Sequence, residues 1–147
     1  MKKIGVILII VAILICVCIT LIHFIVSIMV PPNAKMAQKL LSSHEEHLEA
    51  VVQYFESTNI NVYIDEDSDC DAISDPKAVE EIQWLLDHGY KSVSREGNTI
   101  SFLRWTRWKD FGAGLAYVTD PAYYPSIDYL ANLEQLSDEH WYYYEEN

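Results

Sequence analysis

The chain has 147 residues, with 22 Asp and Glu against 10 Lys and Arg and a formal charge of −12. That length accommodates one domain plus an accessory segment. The charge excludes the basic footprint that nucleic-acid binding requires.

Residues 4–30 read IGVILIIVAILICVCITLIHFIVSIMV, without a charge beyond whatever His23 carries. A helix of that length is about 40 Å long, against about 30 Å of bilayer hydrocarbon. A core helix would carry polar positions every third or fourth residue, so the run predicts a single transmembrane helix, tilted or overhanging. The run exceeds a usual signal-peptide core, and no small-x-small cleavage site follows it. Pro31-Pro32 ends the helical ladder. Lys2 and Lys3 precede the run without nearby acids, whereas Lys35 and Lys39 are soon followed by acids. The positive-inside bias therefore places residues 1–3 in the cytoplasm and residues 31–147 outside the membrane. All 22 acids follow the run and Lys2 and Lys3 precede it, so the outer part carries about −14. Such a charge confers solubility and selects basic partners or cations. Cys70 is the lone cysteine of that part, which must stand on its core rather than on an internal disulfide.

The remainder predicts an α+β domain of two helices packed on an antiparallel sheet of four to six strands. Residues 34–58 form an amphipathic helix, with Ala37, Leu41, His44, Leu48, Val51, Val52 and Phe55 on one stripe. Asn59 ends it, and INVYI (60–64) reads as a short strand. Asp75-Pro76 starts a second helix that runs to about His88, with Gly89 as its stop. YKSVS and TISFLRW flank Arg95-Glu96-Gly97-Asn98 as a hairpin. DFGAG (110–114) reads as a turn leading into the strand LAYVT. Residues 127–136 fit either a strand or a short helix, and WYYYEE (141–146) reads as a terminal strand.

Four features are candidates for chemistry. In the acidic stretch IDEDSDCDAISDP (64–76), Asp65, Asp67 and Asp69 resemble positions 1, 3 and 5 of a helix-loop-helix calcium site. Cys70 stands where that family has Gly, and Pro76 where it has its bidentate Glu. The favoured reading is a solvated turn whose acids sit near a helix N-terminus. The metal candidate is a weak calcium site at Asp65, Asp67, Asp69 and Asp71, with no other cofactor expected. HEEH (44–47) spaces its histidines three apart rather than the four of HExxH zinc helices, so both are read as edging the core. The basic-aromatic cluster Trp105, Arg107 and Trp108, flanked by Arg104 and Lys109, is the candidate partner contact, because Trp and Arg are typical interface anchors. Lastly, an apolar helix followed by an antiparallel sheet, after Lys2-Lys3-Ile4-Gly5, resembles the architecture of type IV pilins and pseudopilins, although Ile10 stands where they carry Glu.

The expected protein is thus a single-pass, membrane-anchored one, held in the lipid bilayer by residues 4–30. Its outer domain binds or scaffolds an unidentified protein or cell-wall partner at the cell surface, and catalysis is not expected. The alternatives are a cell-envelope enzyme or glycan-binding module, and a pilin-like assembly subunit.

Overall fold

The computed structural model describes residues 13, 15–21, 32–68, 70–106, 111–122, 130–136 and 138–146. The chain divides into two units, residues 1–31 and 32–147. In the first, residues 15–21 are helical, and Thr20 returns its hydroxyl to the carbonyls of Cys16 at 3.1 Å and Val17 at 2.9 Å. Most of the expected span 4–30 lies outside the described residues, and among these no helix is long and apolar enough to cross a membrane.

The second unit is α+β. Helix α1 (Ala34–Thr58) leads to β1 (Val62–Asp65), a 3-10 turn at Cys70–Ala72, and α2 (Pro76–Asp87). Strands β2 (Ser92–Glu96), β3 (Thr99–Thr106), β4 (Gly112–Val118), β5 (Leu130–Gln135) and β6 (Trp141–Glu146) follow. All pairings are antiparallel, in the order β1-β2-β3-β4-β6-β5. Residues 130–135 therefore resolve as a strand. The expected turn at 110–114 is corrected: Gly112, Ala113 and Gly114 already belong to β4. The diglycine spacing reads as a turn, but the strand needs Gly114 for a close approach. A Cβ there would collide with the Phe102 carbonyl oxygen of β3, beside the irregularity between Leu103 and Trp105.

The helix ends are set by local chemistry. Asn33 caps α1, its side-chain oxygen accepting from Met36 N at 3.1 Å. Asn59 closes it in the left-handed conformation, φ 53, its own N–H returning to Phe55 O at 2.9 Å. Asp75 caps α2 by accepting from Lys77 N at 2.9 Å, with Pro76 at the first helical position. Such caps each stabilise a helix by about 1 kcal/mol. Gly89 adopts φ 89 past the end of α2, and Tyr90 N reaches back to Leu85 O at 3.1 Å. This αL ending is one that glycine adopts without a Cβ penalty.

The two-residue period of the strands sorts the sheet into unlike faces. One row of cross-strand neighbours runs Ile64, Val93, Phe102, Leu115 and Tyr143. All five are buried and belong to the core cluster shared with Leu48, Val51 and Phe55 of α1 and Ile82 and Leu85 of α2. Complete burial of such side chains stabilises the fold by about 1.5–3 kcal/mol each. The buried stripe of α1 matches the expected one except at two places: Tyr54 is also buried, while His44 is only partly so. Tyr54 earns its place by accepting from Ser74 N at 3.2 Å, ahead of α2.

The next inner row is Val62, Arg95, Ile100, Tyr117 and Trp141. Arg95 is only 5% exposed in this apolar setting. Its guanidinium donates to the carbonyl of Phe55 and, at 2.5 Å, to the side-chain oxygen of Asn59, while Nε donates to Gly97 O at 3.1 Å. The cation thus sits on the negative end of the α1 dipole. It ties that helix to the β2–β3 hairpin. Burial pulls its pKa below the usual arginine range, with Glu56 opposing. Replacing Arg95 by Met would remove all three guanidinium hydrogen bonds, leaving Phe55 O with the Asn59 N–H alone, and urea unfolding is expected to show a loss of about 2–3 kcal/mol. A loss within about 0.5 kcal/mol, the size of an ordinary surface change, would show that the clamp is dispensable.

Candidate functional site

Three places in the second unit gather chemistry-bearing side chains. The first lies where α1 meets α2. His47 of α1 and His88, just beyond α2, stack on Trp84 at centroid distances of 3.5 and 3.7 Å, nearly parallel to it. Two parallel rings that close must occupy opposite faces, so the indole is sandwiched between imidazoles. His44 completes the group, meeting the Trp84 edge at 5.2 Å and 87°. His47 Nδ1 donates to Glu81 at 2.5 Å, and His88 Nδ1 donates to the Trp84 carbonyl at 2.7 Å. His44 Nδ1 and the Tyr90 hydroxyl are hydrogen-bonded at 3.2 Å. Arg104 lies over the Tyr90 ring at 5.3 Å.

The expectation that His44 and His47 edge the core fits their partial burial, but the ring stack on Trp84 was not foreseen. Trp84 and His88 are four apart on or beside α2, and His44 and His47 three apart on α1. Both spacings are visible in the sequence, whereas the meeting of those two faces is not. Burial, then the charges of Arg104, His88 and His47, lower the His44 pKa from 6.5. The folded protein therefore resists a proton that the unfolded chain takes up as pH falls below 6.5.

The acidic stretch has a different character. Asp65 ends β1 and spends its carboxylate on its own loop, accepting from Ser68 Oγ at 2.5 Å and Asp67 N at 3.2 Å. Asp67 and Asp71 are exposed, and Asp69 is outside the described residues. Among the described residues, no group of three or more His, Cys, Asp or Glu is placed to hold a metal ion. Of the basic-aromatic cluster, Trp105 is half-buried and packs against the core, while Arg107 and Trp108 lie outside the described residues.

The third place is the outer face of the sheet, opposite the helices. Its rows run Tyr63, Ser94, Ser101, Ala116, Tyr142, and Asp65, Ser92, Leu103, Gly114, Tyr144. Apart from Leu103, small residues therefore occupy the middle strands, with a tyrosine ring at each end of the first row. Toward β6, Ala116, Val118, Tyr142 and Tyr144 are buried together, with Leu133 against them. Toward β1 the face opens into a groove of about 580 Å³, lined among others by Tyr63, Ser92, Ser94, Ser101, Glu96 and Glu146. Burial raises the Glu146 carboxyl above the usual range, a hydrogen bond with Tyr144 opposing. Sequence reasoning missed this groove. Its signal was the alternation of serines in SVS (92–94) and TIS (99–101), which marks an outward face of hydroxyls once the register is known.

No protein-family model, curated protein or solved structure matches the chain.

The histidine cluster generates a pH prediction. Between pH 7.5 and 5.5 the melting temperature is expected to fall, and His44→Gln should flatten that slope by removing the group that folding keeps from its proton. Equal slopes in both proteins would show that His44 is not the responsible group.

Proposed function

We propose that residues 4–30 anchor this chain in a membrane, with residues 1–3 on the cytoplasmic side and the acidic α+β domain outside. In this reading the domain binds a partner at the cell surface. The observation that carries the anchor is the described part of that stretch. Ile13, Ile15, Val17, Ile19 and Leu21 are 47–57% exposed, and the helical residues around them, Cys16 and Cys18 included, are exposed as well. Apolar side chains exposed on every side of a helix suit lipid, which offers hydrocarbon contacts all round. The sole polar side chain in residues 15–21 is Thr20, and its hydroxyl is satisfied by the helix's own carbonyls, as hydrocarbon surroundings require.

The orientation rests on Lys2 and Lys3, which favour the cytoplasmic side. Net charge supports it, because a domain carrying about −14 is repelled by the anionic cytoplasmic leaflet. Partner binding is supported by the open groove on the outer sheet face, whose volume lies in the ordinary range of ligand clefts, roughly 300–1,000 Å³.

Topology is directly measurable. An impermeant protease added to intact cells is expected to digest the domain carrying residues 32–147, leaving a membrane-embedded fragment. Full protection, with digestion only after the cells are opened, would overturn the orientation.

A further inference from the structure

The groove on the outer face of β1–β3 has a defined chemistry. Ser92, Ser94 and Ser101 line it side by side with Leu103. Ser94 Oγ and Ser101 Oγ are 2.6 Å apart, so one donates to the other and the acceptor keeps its own O–H for a ligand. Ser92 is only 4% exposed and lines the groove beside that pair.

Around these residues stand Glu96 and Glu146, which supply carboxylate acceptors. Tyr63, at 62% exposure, offers a ring face at the β1 side. Arg95 contributes to the lining, but its guanidinium is turned to the opposite side of the sheet and occupied by Phe55, Asn59 and Gly97. The groove therefore offers acceptors, hydroxyls, one aromatic face and apolar contacts at Val62 and Leu103, without a free cation among its lining residues.

This combination selects by exclusion. A phosphate or carboxylate ligand would face two glutamates with no counter-charge. A purely apolar ligand would strip water from the carboxylates and from the O–H left over by the Ser94–Ser101 pair. A polyamine would use the carboxylates and could lay an ammonium on the Tyr63 ring, but it has no acceptor for the O–H left over by the Ser94–Ser101 pair. A sugar ring uses carboxylates, hydroxyls and aromatic face together: many O–H donors and acceptors around its edge, and C–H groups on a face that lies against an aromatic ring. We propose that this groove binds a saccharide of one or two rings, stacked on Tyr63 and hydrogen-bonded to Ser92, to the Ser94–Ser101 pair and to Glu96 and Glu146.

The inference names the partner class for the display reading above and takes its biological setting from it. Binding is measured on the purified chain, so a failure here leaves the topology result standing, and the reverse also holds. The full chain is placed in phosphatidylcholine nanodiscs, avoiding glycoside detergents that would compete. Saturation-transfer difference NMR is recorded with cellobiose, N,N′-diacetylchitobiose and, separately, spermidine at millimolar concentration. At least one disaccharide is expected to receive saturation on its ring protons. Tyr63→Ala and Ser92→Val should each weaken that binding between about threefold and tenfold, the size of one stacking or hydrogen-bonding contact. Glu45→Ala, on the exposed face of α1, should leave it unchanged. Tyr63 is exposed, so its variant remains informative if the buried Ser92 substitution impairs folding. The proposal is overturned if neither disaccharide receives saturation, if only spermidine binds, or if the Tyr63 variant binds as well as the native chain.

Discussion

The fold turns on one buried cation. Arg95 lies in an inner row otherwise made of Val62, Ile100, Tyr117 and Trp141, where an unpaired charge would be costly. It is tolerated because α1 ends there, offering the Phe55 carbonyl and the Asn59 side chain at the negative pole of the helix. The left-handed Asn59 that stops the helix therefore also supplies the cation's partner. The same bonds fix how the β2–β3 hairpin docks under the helix. They also hold the guanidinium away from the outer face, which is left with hydroxyls and carboxylates. Structure and site thus share a single constraint.

That constraint also explains the difference between the two faces of the sheet. The inner rows are bulky because they meet two helices, and the outer rows, Leu103 apart, are small in the middle because serine, glycine and alanine alternate with the core residues. Most of the groove's lining residues come from strands, with Asn61 added from the segment before β1. At the α1–α2 junction a different solution appears. There Trp84 is not sunk into the apolar core but flanked by His47 and His88, whose ring nitrogens reach Glu81 and the Trp84 carbonyl. This gives the helix pair a polar, titratable seam beside an otherwise apolar contact.

Local rules made much of the fold legible in advance. Asn59, Asp75-Pro76 and Gly89 mark helix ends through capping chemistry that acts within a few residues, and each falls where the sequence places it. The hairpin around Gly97-Asn98 is legible for the same reason. What depends on distant pairing was not. The insertion of β6 between β4 and β5 is invisible to a two-residue period, and so is the strand character of Gly112–Gly114, where glycine serves a close approach instead of a turn. The acidic stretch was legible as a turn, its Asp65 bonding its own loop. The groove needed the register between β2 and β3 before its serines could be seen to share a face.

The central claim is that a membrane-held domain presents the outer face of its sheet to a partner. A photo-crosslinking residue placed at Tyr63 in the full chain, in its native membrane, tests it most directly, with the same residue at Glu45 on the exposed side of α1 as control. The account predicts saccharide-bearing adducts from position 63 that are absent from position 45. Adducts of equal yield from both positions, or none from position 63, would contradict it.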